Sequence, residues 1–185
     1  RGVQIPIVVF TYYNLLLQLG IDQYFALARE NEIDGLLVPD LPFEESNELR
    51  QKAQSENMPL ISLVAPTTSP DRLKKIASAA QGFVYCVSSL GVTGVREGEF
   101  KQEVYDFLDK VKRFSSVPVA VGFGISSAEQ IEQLRNYCDG VIIGSAIVRE
   151  IEKYHDALHD PEKKPQALAQ LKAFFSSLTG RKLTT

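Results

Sequence analysis

The sequence predicts an α/β fold, read as the last six βα units of an eight-stranded α/β barrel, and three observations carry that prediction. Short apolar, β-branched runs alternate with helical patterns at spacings of roughly 22 to 35 residues, the signature of repeated right-handed βαβ units. Two of these runs, Val119–Val121 and Val141–Ile143, each lead into a glycine-rich turn that opens a helix. Nothing between the runs reads as a linker, so residues 1–185 read as a single domain, entered at its third strand and incomplete at the N-terminus.

The elements follow in order. Val3–Thr11 is a near-continuous apolar run, as expected of a parallel strand covered on both faces, and it ends at Tyr12-Tyr13-Asn14. Ile21, Tyr24, Phe25 and Ala28 recur at helical spacing, and Asp34-Gly35 turns the chain into a second strand, Leu36–Val38, which stops at Pro39-Asp40-Leu41-Pro42. A charged helix from Glu44 to about Glu56 has acids in its first turn, where the helix dipole favours them. Leu60–Ala65 is the third strand. Ser69-Pro70 then starts a helix with Leu73, Ile76 and Ala77 inward. The fourth strand, Gly82–Ser88, opens into the glycine-rich stretch 89–98, which suits either a lid over a pocket or an ordinary surface loop. A helix with Val104, Leu108 and Val111 on one face precedes the two final strands. Ser126 and Glu129 fit a capping box for the helix after the fifth strand. A polar connector, Asp156–Lys164, leads to an amphipathic closing helix with Leu168, Leu171, Phe174, Phe175 and Leu178.

Composition excludes several function classes. With 44% hydrophobic and 23% charged residues the chain is an ordinary globular sequence, and a net charge of −3 argues against a nucleic-acid or anionic-membrane surface. No apolar run is long enough to span a bilayer, and two cysteines far apart in sequence, Cys86 and Cys138, read as buried thiols of a cytoplasmic protein.

An anionic ligand must therefore be held locally. Two glycine-rich helix starts side by side, Gly122-Phe123-Gly124 and Gly144-Ser145, present unpaired amides at positive dipole ends and make an anion cradle. In many α/β barrels the phosphate site is built from the loops after the last two strands, whereas doubly wound open sheets, the other candidate for five or six strands, place theirs after the first. Asp40, at a strand's C-terminal end, sits where barrel enzymes keep catalytic groups, or else satisfies turn amides. Tyr12 and Tyr85, read as ending neighbouring inward-facing strands, suit a pocket lining with Phe123, or simply the core. Arg96 suits a phosphate contact or a solvated loop. His155 and His159 lack a third ligand, so no metal is expected, and no Ser-His-Asp or Cys-His triad can be composed.

Several segments carry a resemblance: Phe10-Thr11-Tyr12-Tyr13-Asn14, Val38-Pro39-Asp40-Leu41-Pro42 with Glu44-Glu45-Ser46, Ala65-Pro66-Thr67-Thr68, Gly91-Val92-Thr93-Gly94, Gly122–Ser127 and Gly144–Val148. They run through almost the whole chain, which resembles the tryptophan synthase alpha subunits of Gram-positive bacteria. The resemblance implies a TIM (β/α)8 barrel, a lyase of tryptophan biosynthesis that cleaves indole-3-glycerol phosphate to indole and glyceraldehyde 3-phosphate. It also implies an α2β2 heterotetramer with a beta subunit that holds pyridoxal phosphate, and no cofactor in the alpha chain. Gly94, Phe123, Gly124, Gly144 and Ser145 would bind the phosphate, and Phe10, Tyr12, Leu63, Tyr85 and Phe123 would surround the indole. Thr93 would belong to the lid, and Asp40 and Pro42 to the side that communicates with the beta subunit. The family's general acid–base glutamate and its indole-nitrogen aspartate would precede Arg1, so the resemblance implies that no catalytic residue is retained and that the chain alone is inactive. Another phosphate-binding barrel, such as indoleglycerol-phosphate synthase or a pentose-phosphate epimerase, and a non-catalytic phosphate-binding or regulatory subunit are the alternatives.

Overall fold

The computed structural model describes residues 4–87, 100–122 and 124–179. Its order is β1 (Val8–Phe10), α1 (Tyr13–Leu19), α2 (Ile21–Glu30), β2 (Gly35–Leu37), a 3-10 turn (Phe43–Glu45), α3 (Asn47–Ser55), β3 (Ser62–Val64), α4 (Pro70–Ser78), β4 (Val84–Val87) and α5 (Gln102–Phe114). There follow β5 (Val119–Gly122), α6 (Ala128–Leu134), β6 (Gly140–Ile142), α7 (Ser145–Lys153), α8 (His155–His159) and α9 (Lys164–Thr179). All strand pairs are parallel, β1 with β2 and β3 through β6 in sequence order. One bridge joins the two ladders: the Leu36 amide donates to Pro59 O at 3.0 Å and the Ile61 amide to Leu36 O at 2.8 Å.

The period of two along each strand sorts side chains between two layers. On the outer face, Val64, Val84, Cys86, Val119 and Val121 pack under Leu73 and Ile76 of α4, Leu108 and Val111 of α5, and Leu134 of α6. A second outer cluster buries Leu36 and Leu60 against Leu16, Phe25 and Leu49 of the first three helices. Each such aliphatic or aromatic side chain contributes roughly 1.5–3 kcal/mol on burial. The alternate positions Leu37, Ile61 and Tyr85, flanked by Leu63, Phe83, Val87 and Ile142, form a third cluster on the opposite, inner face.

The same device anchors strand starts twice. Asp34, just before β2, accepts a hydrogen bond from the Ile7 amide at 2.7 Å, and Asp139, just before β6, accepts one from the Val119 amide at 2.8 Å. An aspartate in a turn thus ties each strand to the entry of its neighbour, which sets the register from outside the ladder.

Several boundaries differ from the sequence reading. The first strand is Val8–Phe10 rather than Val3–Thr11, and it is not covered on both faces: Ile5 and Phe10 are 65% and 61% exposed. Pro6 donates no ladder hydrogen bond, and among the described residues β1 pairs only with β2. Helix α1 was hidden in the Leu15–Leu19 run, where only Leu16 is buried, and Gly20 at φ 90 separates it from α2. The helix expected from Glu44 divides into the 3-10 turn and α3. The expected connector Asp156–Lys164 contains most of α8, and Leu168 of α9 is half exposed. The cap of α6 is Ser127, not Ser126: its Oγ accepts the Gln130 amide at 3.3 Å, while Gln130 Oε1 accepts the Ser126 amide at 2.8 Å. The box is therefore Ser127 with Gln130, one residue later than the pair Ser126 and Glu129. Tyr12 and Tyr85 do not end neighbouring strands, since β2 and β3 lie between β1 and β4. Cys86 and Cys138 are free and buried, as expected. The lid stretch lies outside the described residues.

Ser127→Ala should cost about 0.5–2 kcal/mol in urea unfolding. Ser126→Ala, which keeps the amide bonded to Gln130, should cost clearly less. Asp139 supplies a pH test, because the Val119 amide and then the Lys112 ammonium at 3.2 Å stabilise its charged form and lower its pKa from 3.8. A depressed carboxyl contributes stability that is complete above its unfolded pKa and is lost as pH falls through the folded one. Asp139→Asn should therefore flatten the stability profile below about pH 4, while a parallel loss across neutral and acid pH would show that its charge carries nothing.

Candidate functional site

The two glycine-rich turns leave the sheet side by side, because Gly122 of β5 and Ile142 of β6 are direct register partners. Two residues beyond each lie Gly124, at φ 80, and Gly144, the N-cap of α7. Gly144 and Ser145 are exposed, and a Cβ built on Gly144 meets nothing within 4 Å. The first amides of α7 are thus unobstructed, and anions favour such a terminus for charge and hydrogen-bonding reasons together. The turn after β5 is longer, since α6 begins only at Ala128. Gly94, Phe123 and Thr93 lie outside the described residues, as does Arg96.

Beneath the turns sits Tyr85, 8% exposed, with its hydroxyl pKa raised by burial. Its hydroxyl oxygen would clash with a Cβ at position 122, so glycine there is what admits the phenol ring. Leu63 packs against the same inner cluster. Phe10 and Tyr12 do not join it. They line a separate apolar recess of about 290 Å³ with Thr11, Leu15 and Pro39, and Tyr12 is 60% exposed.

Asp40 is exposed and engaged by the backbone. Its two carboxylate oxygens accept the Tyr13 amide at 3.0 and 3.2 Å, capping α1 from the turn after β2. This is the turn-satisfying role, carried across 27 residues of sequence. Pro42 is exposed at the entry of the 3-10 turn. Next to it Glu44 takes a two-pronged contact from Arg72, Nε to one oxygen at 2.8 Å and Nη2 to the other at 3.0 Å, which lowers its pKa to about 2. Among the described residues no group of three or more His, Cys, Asp or Glu side chains is placed to hold a metal ion.

The family model for the tryptophan synthase alpha chain matches residues 1–179. The chain belongs to the tryptophan synthase alpha chain family. It is 59% identical over 179 residues to a tryptophan synthase alpha chain of Geobacillus sp. (strain WCH70), covering 97% of this chain and 67% of that one. To the Bacillus subtilis (strain 168) protein it is 56% identical over 180 residues, again 97% of this chain and 67% of the relative. The chain thus spans about two thirds of the length of the curated relatives it matches. Among solved structures it matches a chain of the Pyrococcus furiosus tryptophan synthase a2b2 complex with a TM-score of 0.80 at 36% identity, covering 97% of this chain and 69% of that one. The alpha subunit of Campylobacter jejuni gives 0.73 at 34% identity, covering 82% and 60%.

The six βα units are accordingly those of a TIM barrel, and the cluster around Tyr85 is part of its packed interior. Leu37, Ile61 and Ile142 belong to that interior and were not singled out from sequence. Their signal was present in the alternation of each strand. What hid them was that outer positions are equally apolar, as buried parallel strands require.

Gly122→Ala should destabilise the chain by about 1–3 kcal/mol through overpacking, because hydroxyl, Cζ and Cε1 of Tyr85 all lie within 3.0 Å of the new methyl. Removing the ring in the double variant Gly122→Ala/Tyr85→Ala should add much less than the sum of the two single losses in urea unfolding. Additive losses would mean that the clash is relieved elsewhere.

Proposed function

We propose that this chain is one barrel domain serving the family's lyase reaction, the cleavage of indole-3-glycerol phosphate to indole and glyceraldehyde 3-phosphate. The observation that carries the reading is the register of β5 and β6, which sets the exposed Gly144-Ser145 helix start beside the Gly124 turn, directly over Tyr85. In this reading the phosphate is held by amides at Gly124, Gly144 and Ser145, with Gly94 and Phe123, and Thr93 belongs to the lid. The indole lies against Leu63 and Tyr85, with Phe123, while Phe10 and Tyr12 line the separate recess beside Pro39.

The reaction needs an acid that protonates the indole ring carbon, a base that takes the proton of the adjacent hydroxyl, and a partner for the ring nitrogen. The carbon–carbon bond then breaks and its electron pair returns to the ring. Such positioned groups contribute about a hundred- to ten-thousand-fold each. Asp40, the carboxylate that follows β2, is committed to the Tyr13 amide. This favours the reading that residues 1–185 bind substrate while the acid–base carboxylates lie outside them. The a2b2 assembly of the Pyrococcus furiosus relative supports a beta subunit as partner, reached through the Asp40–Pro42 side. Pyridoxal phosphate belongs to that partner. Two free buried thiols, and no helix among the described residues long and apolar enough to cross a membrane, accord with a cytoplasmic place of work.

Titration calorimetry with glycerol 3-phosphate should give saturable binding that Gly144→Leu weakens at least about tenfold. Indole release from indole-3-glycerol phosphate by the 185-residue polypeptide should be undetectable with or without a beta subunit. Turnover near that of a full-length relative, surviving Asp40→Asn, would overturn the placement of the catalytic acids.

A further inference from the structure

We propose that the seam between β2 and β3 is a second binding site, for a small amphipathic carboxylate. The two strands are joined by the single Leu36–Leu60 bridge, and beyond it they part, leaving a cavity of about 260 Å³. Phe43, Ile61 and Ile76 are among its apolar walls, and Ser46, Arg50, Ser62 and Arg72 are among its polar lining, with Thr67 and Thr68. The volume lies just below the range of about 300–1,000 Å³ usual for cofactor and drug-sized ligands, which limits the occupant to a small molecule.

Two features point to a ligand. Ser62 is 6% exposed, yet its hydroxyl has no hydrogen-bond partner. A buried donor left unmade is costly, and native chains normally satisfy it. The second is Arg50. Arg72 is neutralised by Glu44, but Arg50 meets no carboxylate among the described residues. Its guanidinium lies 4.7 Å from the centroid of Phe43, donates to Ala79 O at 3.2 Å and approaches Ser46 Oγ at 3.4 Å. A planar fork with donors to spare, set beside an apolar wall and an orphan hydroxyl, fits a carboxylate carried on an aryl or branched apolar group. Because Ser62 faces away from Ile61 and Leu63, the site wraps the edge of β3 rather than repeating the barrel interior.

This inference does not depend on the proposed lyase reading. Phenylacetate is the probe, followed by calorimetry and by amide chemical-shift changes in the whole chain. One-to-one saturable binding is expected, with shifts centred on Ser46, Arg50 and Ser62. Arg50→Gln should weaken it at least about tenfold, and Arg50→Lys should restore part of the loss. Arg50 also holds the end of α4, so a second variant guards against misfolding. Ser62→Ala should leave urea stability unchanged or raised, since the hydroxyl is unpartnered, and still weaken binding about three- to tenfold. Gly144→Leu should not alter it. No saturable binding, affinity indifferent to both Arg50→Gln and Ser62→Ala, or shifts centred on Tyr85 and Ile142 would each overturn the proposal.

Discussion

Parallel pairing with a period of two is the constraint on which the rest of this structure depends. Each strand is only three or four residues long, so a slip of one position would exchange the whole outer and inner sets. The outer set is the larger one and holds the helices, from Val64, Val84 and Val121 to Leu108 and Leu134. The inner set is smaller, and it is where Tyr85 and Leu63 acquire a shared environment. Site and core are therefore two faces of the same ladder.

Polar side chains act mainly at the ends of that ladder. Asp34 and Asp139 hold strand entries, Asp40 holds the start of α1, and Ser127 with Gln130 holds the start of α6. On the outer surface Lys52 bridges Asp22 of α2 and Glu56 after α3, and Arg29 joins Glu56 as well. Exposed pairs of this kind contribute little each, typically below about 1 kcal/mol, so their effect is chiefly to fix how neighbouring helices lie. The backbone-directed aspartates matter more, because each satisfies an amide that no strand or helix would otherwise pair.

The glycines show the same division between local rule and tertiary demand. Gly20 is needed for its positive φ between two helices, a property local to the chain. Gly122 has no such conformation among the positive-φ residues and is instead required by a phenol ring from the adjacent strand. No local pattern announces that requirement, although the glycine itself is plain in the sequence.

The alternation of strands and helices, the Pro70 helix start, the inward face of α5 and the paired glycine turns were all determined by the sequence itself, because each rests on periodicity or on residues with restricted backbone chemistry. Family membership was equally legible, since the motifs that carry it are contiguous. Tertiary structure alone decided that Asp40 serves Tyr13, that Phe10 and Tyr12 stand apart from Tyr85, and that the buried Ser62 hydroxyl lacks a hydrogen-bond partner. The physical reason is distance along the chain: these contacts join residues from different βα units. Local propensity ends at the turn, whereas register, twist and side-chain volume set what meets across it.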